Sequence, residues 1–162
     1  MINKRLSIDP LKCTGCGDCE TACALAHAKI GAPEKPRIRV IRGEEGDGFC
    51  LPTTCQHCED PPCMAVCPEE AIYRDKELDR VMIDTKRCIG CKMCVSACPT
   101  GAMGFDRDRG RAFKCDLCGG DPACVRVCKE GALVYVNPCQ LNTARAQESA
   151  GKLYGVLRHL AH

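Results

Sequence analysis

The chain has 162 residues, only 4% of them aromatic, no tryptophan, and 15 glycines with 10 prolines, too little bulky material for a conventional core. Its formal charge of +2, with no basic run interleaved with aromatics, argues against nucleic-acid binding, and no apolar run approaches the length of a membrane span. Eighteen cysteines are the alternative source of cohesion, since small folds are commonly held by disulfides or metal.

In chain order, Leu6–Cys13 (LSIDPLKC) reads as a strand entering a loop, followed by Cys13, Cys16, Cys19 and Cys23 in the spacing C-x2-C-x2-C-x3-C. Gly31–Gly48 reads as an insertion, with Arg37–Ile41 alternating as a strand between a proline-containing approach and a Gly/Glu-rich turn. Cys55, Cys58, Cys63 and Cys67 form a second group with a longer middle gap. Pro68–Asp75 (PEEAIYRD) predicts a short helical turn carrying the last cysteine, then a turn and a strand. The charged stretch Tyr73–Arg80 predicts a hairpin connection. Val81–Cys88 (VMIDTKRC) repeats the entry pattern of the first group. Cys88, Cys91, Cys94 and Cys98 then repeat its spacing, and PTGAMGFD follows. Cys115, Cys118, Cys124 and Cys128 form the fourth group, followed by KEGALVYV. The tail from Asn137 predicts a helix over 142–160, with Leu153, Tyr154, Val156, Leu157 and Leu160 on a three-to-four spacing. That face either packs back on the chain or docks a partner.

Groups one and three have the bacterial [4Fe–4S] spacing, and Cys67 and Cys98 are followed by the proline typical of that run. Three cysteines within seven residues enclose a cubane better than a single zinc, whose four-cysteine sites use two separated knuckles. Disulfides are disfavoured: Met1–Pro10 has neither an apolar signal core nor twin arginines, so a reducing, cytoplasmic setting is expected. Four cubane cores of charge 2+ on sixteen thiolates would move the formal charge from +2 to about −6. Lys12, Lys86, Arg87, Lys92, Lys114, Arg126 and Lys129 crowd the groups and offset that charge. Gly15, Gly17, Gly90, Gly119 and Gly120 let backbone amides approach sulfide. In two-cluster ferredoxins the fourth cysteine of each run ligates the other cluster. Spacing leaves the pairing open, because 20 residues separate groups two and three and 16 separate groups three and four.

CQHCEDPPCMAVCP (55–68), CIGCKMCVSACPTGA (88–102) and KCDLCGGDPACVRVC (114–128) resemble the cluster motifs of four-cluster ferredoxin-like electron-transfer subunits. Those subunits accompany formate dehydrogenases, DMSO-reductase-type enzymes, hydrogenase complexes and carbon monoxide dehydrogenase. The resemblance covers residues 7 to 136. It implies an α+β fold of two ferredoxin-like two-cluster units, one nested within the other. The outer unit would take residues 1–30 and 108–136, and the inner unit 49–107. The insertion would take 31–48 and the extension 137–162. Four [4Fe–4S] clusters would then be held by Cys13, Cys16, Cys19 and Cys128; by Cys55, Cys58, Cys63 and Cys98; by Cys88, Cys91, Cys94 and Cys67; and by Cys115, Cys118, Cys124 and Cys23.

The chain departs from the pattern at Cys23-Ala24 and Cys128-Lys129, where proline is absent, and in its short fourth group. That compact group resembles the smaller subunits accompanying tungsten-dependent aldehyde oxidoreductases. The resemblance therefore implies a non-catalytic relay of single electrons. Its partner would be a molybdenum- or tungsten-cofactor subunit, aldehyde oxidoreductase ahead of formate dehydrogenase, with an acceptor or a flavin/NAD or ferredoxin-reducing subunit beyond. Self-association head to tail would lengthen the relay. A freely diffusing polyferredoxin and a zinc-binding interaction module are the alternatives. Cys50 and Cys139 read as small, partly buried thiols. His57 is expected to hydrogen-bond a cluster sulfur or a partner, whereas His27, His159 and His162 offer no constellation. No catalytic Ser-His-Asp or Cys-His set and no nucleotide-binding loop is present.

Overall fold

The computed structural model describes residues 4–28, 35–44 and 48–160. The proline-containing approach at 31–34, the turn at 45–47 and His162 lie outside them, as do the side chains of Val156, Leu157, His159 and Leu160.

The fold is α+β, a series of short antiparallel hairpins and single helical turns strung between cysteine loops. β1 (Arg5–Ile8) leads through a 3-10 turn at Pro10–Lys12, where Asp9 accepts from Leu11 N–H, into the first loop. Helix α1 (Asp18–Ala26) follows, with Cys19 and Cys23 on its buried side. β2 (Ile38–Arg42) and β3 (Cys50–Thr54) form one hairpin, with Val40 opposite Pro52. α2 (Pro62–Ala65) precedes the hairpin of β4 (Ile72–Asp75) and β5 (Arg80–Ile83). α3 (Met93–Ala97) precedes the hairpin of β6 (Gly104–Asp106) and β7 (Arg111–Phe113). A 3-10 turn at Leu117–Gly120, α4 (Ala123–Arg126) and β8 (Leu133–Val136) complete the repeat. β8 returns to pair with β1, Leu133 opposite Ile8, so the two ends of the repeat close on each other.

Apolar burial falls into two clusters. One combines Cys19, Cys23, Ile38, Val40, Cys124 and Leu133, with Leu6, Ile8, Cys13, Cys50 and Cys128 against them. The other combines Ile72, Val81, Cys94, Met103 and Ala112, with Cys63, Cys67, Cys88 and Cys98 against them. An arginine web ties the loops together. Arg5 pairs with Asp79 and donates to the His57 carbonyl at 3.2 Å. Arg74 bonds Asp79 at 2.7 Å and the Glu59 carbonyl at 2.8 Å. Arg37 pairs with Asp116 at 2.6 Å.

Three local expectations need adjustment. In groups two to four the helical turn carries the third cysteine and stops before the last. Proline after Cys67 and Cys98 drives the preceding residue to extended backbone, and Cys98 has φ −75°, ψ 112°. The tail helix, α5 (Pro138–Leu160), starts four residues earlier than the apolar periodicity indicates. There Asn137 accepts from Cys139 N–H at 3.0 Å, and Pro138, with no N–H to leave unsatisfied, is suited to the first turn. The alternation at 37–41 does form a strand, but its hairpin partner begins at Cys50, so the β2–β3 hairpin crosses the boundary placed between 48 and 49.

Candidate functional site

Each C-x-x-C step turns through a left-handed residue just before its second cysteine: Gly15 (φ 74°), His57 (φ 47°), Gly90 (φ 75°) and Leu117 (φ 58°). That reversal lets two thiols three residues apart face one cavity. The next helical turn then brings up the third; the fourth leaves on the following segment in groups two to four and stays on helix α1 in group one.

Cys13, Cys16 and Cys19 line one cavity together with Cys128, which comes from the far end of the repeat. Cys55, Cys58 and Cys63 line a second with Cys98. Cys88, Cys91 and Cys94 line a third with Cys67. Burial pushes the Cys124 thiol up to about 12, and the neighbouring Cys115, Cys23 and Cys118, then Cys19, add to the rise. Helix α1, which carries Cys23, packs on α4, which carries Cys124. A roomier cleft of about 590 Å³ between β1 and β3, lined by Arg5, Ile8, Leu51, Thr53 and Val136, contains no cysteine and is not this site.

Burial dominates the thiol chemistry. It raises Cys19, Cys94 and Cys115 to about 11, with neighbouring thiols adding to the rise at Cys19 and Cys94. Thiols packed this way stay protonated at neutral pH unless a cationic centre draws the protons off, which is the behaviour of a metal-binding donor set. Four soft sulfur donors per enclosure fit an iron–sulfur cluster. Backbone amides already point at several sulfurs: Arg37 N–H at Cys23 (3.2 Å), Ala71 N–H at Cys67 (3.3 Å) and Leu117 N–H at Cys115 (3.4 Å). At Cys98, burial alone would raise the thiol. The Thr100 hydroxyl and the amides of Thr100, Ala102 and Met103 outweigh it and leave the thiol below its ordinary value.

Among the histidines, His27 differs from its sequence reading. His27 does join a constellation. Its Nδ1 bonds the Cys23 carbonyl at 2.8 Å, its Nε2 bonds Asp116 at 3.0 Å, and Cys118 completes a set within 4.8 Å. Asp116 is thereby held below the usual carboxylate range. Burial opposes this, and the Arg37 guanidinium, Cys118 N–H and His27 prevail. No sequence spacing links residues 27 and 116; only helix packing does. His57 does reach a sulfur, but through its backbone: its N–H bonds Cys55 Sγ at 3.4 Å, while its buried ring Nδ1 accepts from Val81 N–H at 3.0 Å. Its Nε2 is buried with no partner among the described residues. Cys50 packs beside the first loop, where a side chain at Gly15 would meet its sulfur at 2.6 Å, and Cys139 is exposed at the start of α5. The partly buried reading therefore holds for Cys50 and not for Cys139.

Cysteine-lined cavities in a hairpin-and-turn α+β frame are those of an iron–sulfur protein, and its relatives are named as electron-transport proteins or polyferredoxin-like subunits. The 4Fe-4S dicluster domain family matches residues 47–138 and a 4Fe-4S binding domain matches 6–30, and the chain belongs to the dicluster family. It is 42% identical, over 76% of its length and 70% of the relative's, to the polyferredoxin-like subunit of the aliphatic sulfonate oxidoreductase of Pyrococcus furiosus. It is 38% identical to the electron transport protein HydN of Escherichia coli, over 91% and 95% of the two chains. It is also 38% identical to subunit beta of the NADH-dependent phenylglyoxylate dehydrogenase of Aromatoleum evansii, and spans 31% of that longer chain. Among the described residues no helix is long and apolar enough to cross a membrane.

Proposed function

We propose that the chain is the electron-transfer subunit of a cytoplasmic oxidoreductase complex and that its sixteen grouped cysteines hold four [4Fe–4S] clusters. The observation that carries this reading is the exchange of fourth cysteines. Cys128 shares a cavity with Cys13, Cys16 and Cys19, and Cys98 and Cys67 each sit with the other's group. The neighbours of Cys124 support the remaining set of Cys115, Cys118, Cys124 and Cys23. The strand pairing of β1 with β8 and the two separate apolar clusters favour an outer unit wrapped around an inner one. Each bound cubane supplies a one-electron couple. The protein's part is to hold the sulfurs, to direct N–H groups at them and to exclude water.

Cys16 and Cys91 are exposed, which suits electron entry and exit at the first and third sets. The partner we favour is a molybdenum- or tungsten-cofactor oxidoreductase, a tungsten aldehyde oxidoreductase ahead of formate dehydrogenase. The compact fourth group supports that choice, and the polyferredoxin-like relative supports an oxidoreductase partner in general.

Iron and sulfide analysis of anaerobically purified protein tests the clusters: about sixteen irons are expected from four cubanes, and a colourless zinc protein would end the proposal. Cys128→Ala should disturb the cluster of the first group as well as the fourth loop. Anaerobic affinity purification should bring a larger cofactor-containing subunit, whereas a chain that purifies alone as a monomer is a free carrier.

A further inference from the structure

Lys114 precedes Cys115 as Lys12 precedes Cys13 and Arg87 precedes Cys88. The repeat thus sets a cation before three of the four groups, and only Lys114 is taken inside: it is 5% exposed, whereas Lys12 and Arg87 are on the surface. Two of its donors reach carbonyl oxygens, and the third faces an imidazole nitrogen that already accepts from Val81 N–H. The ammonium bonds the Val81 carbonyl, the Cys115 carbonyl at 2.9 Å, and stands 3.4 Å from His57 Nδ1. Among the described residues no carboxylate pairs with it. A buried, unpaired ammonium is costly unless negative charge lies near. His57 supplies none, because an imidazole is neutral or cationic and its Nδ1 already accepts from Val81 N–H.

What remains is sulfur. Lys114 lines the cavity of Cys55, Cys58, Cys63 and Cys98, and it also holds the carbonyl of Cys115, which belongs to a different set.

We infer that Lys114 is the shared counter-charge of the second and fourth cluster sites and raises the reduction potential of both. The inference rests on the cluster assignment proposed above. One-electron reduction adds a negative charge and no proton at each site, and a fixed positive charge in a low-dielectric interior stabilises that added charge. Because one cation serves both sites, removing it moves their potentials together. The step between them stays level while the steps to the first and third sites tilt.

The test is a potentiometric titration, followed by paramagnetic resonance, of full-length wild type, Lys114→Met, Lys114→Gln and the repeat-equivalent Lys12→Gln. In the two Lys114 variants, two of the four redox steps should shift. The reduced-to-oxidised ratio at fixed ambient potential should fall at least tenfold, about 59 mV for a one-electron couple. The other two steps should hold, and Lys12→Gln should move no step as far. Unmoved potentials, or four equal shifts, overturn the inference. So does loss of iron in both Lys114 variants, which would make the residue one of assembly. Wild-type protein without about sixteen irons would remove the cluster assignment itself, a failure seen before any variant is made.

Discussion

Loops one and three solve the same geometric problem as loops two and four, but with opposite residues. All four turn through a left-handed residue before the second cysteine. Loops one and three use Gly15 and Gly90, and loops two and four use His57 and Leu117. The glycines are enforced by close approach: a side-chain carbon at Gly90 would lie 2.2 Å from the Gly110 carbonyl oxygen. His57 and Leu117 accept left-handed strain that costs roughly 1–2 kcal/mol each. In exchange their side chains are buried, at 4% and 2% exposure, with His57 beside Lys114. Loops one and three leave Cys16 and Cys91 exposed, whereas Cys58 and Cys118 are partly covered. One kind of loop is thin and reaches the surface; the other is plugged and faces the interior.

Breaking the thin loop should have the largest effect. Gly90→Ala meets backbone that has no flexible end to move, in addition to the strain of φ 75°, so a loss of about 3 kcal/mol is expected. It would be read as faster bleaching of the visible absorbance under thermal challenge. Leu117→Ala removes the plug and should cost about 3 kcal/mol. Leu117→Gly sharpens the comparison, because it relieves the strain at φ 58° while leaving the same gap. It should bleach no faster than Leu117→Ala, the reverse of the usual order, and a clearly faster rate would mean the left-handed turn is unstrained. Gly15→Ala meets the Cys50 sulfur at 2.6 Å, a side chain that can give, so its cost should be smaller, about 2 kcal/mol. Adding Cys50→Ala should recover about half of that and leave the backbone strain, a coupling measurable by a double-mutant cycle. Deleting 138–162 should have the least effect: Leu153 and Tyr154 of α5 are exposed, and iron content and bleaching rate should match the full chain. A large loss of iron would show that the tail packs on the cluster units.

The local features were legible in the sequence because they depend on neighbours only a few residues apart. The strand entries before Cys13 and Cys88, the hairpin at Tyr73–Arg80 and the alternation at 37–41 follow from period-two patterning and turn residues. The start of α5 was misplaced because the Asn137 cap lies outside the apolar periodicity that defines the rest. The role of His27 is not legible in the sequence because its partner Asp116 is 89 residues away.

Soft-metal chemistry and the number of donors were fixed by cysteine spacing alone, since three thiols on one short loop must converge whatever the surrounding fold. Which cavity each fourth cysteine lines is decided by tertiary structure, because that thiol lies beyond its own loop, on helix α1 or on the segment after the helical turn, and its direction depends on packing. The same holds for Lys114. As the residue before a cysteine it is indistinguishable from Lys12 in the sequence. Only the closure of β5 and the second loop over it turns a surface cation into a buried one, where a low dielectric gives its charge longer reach.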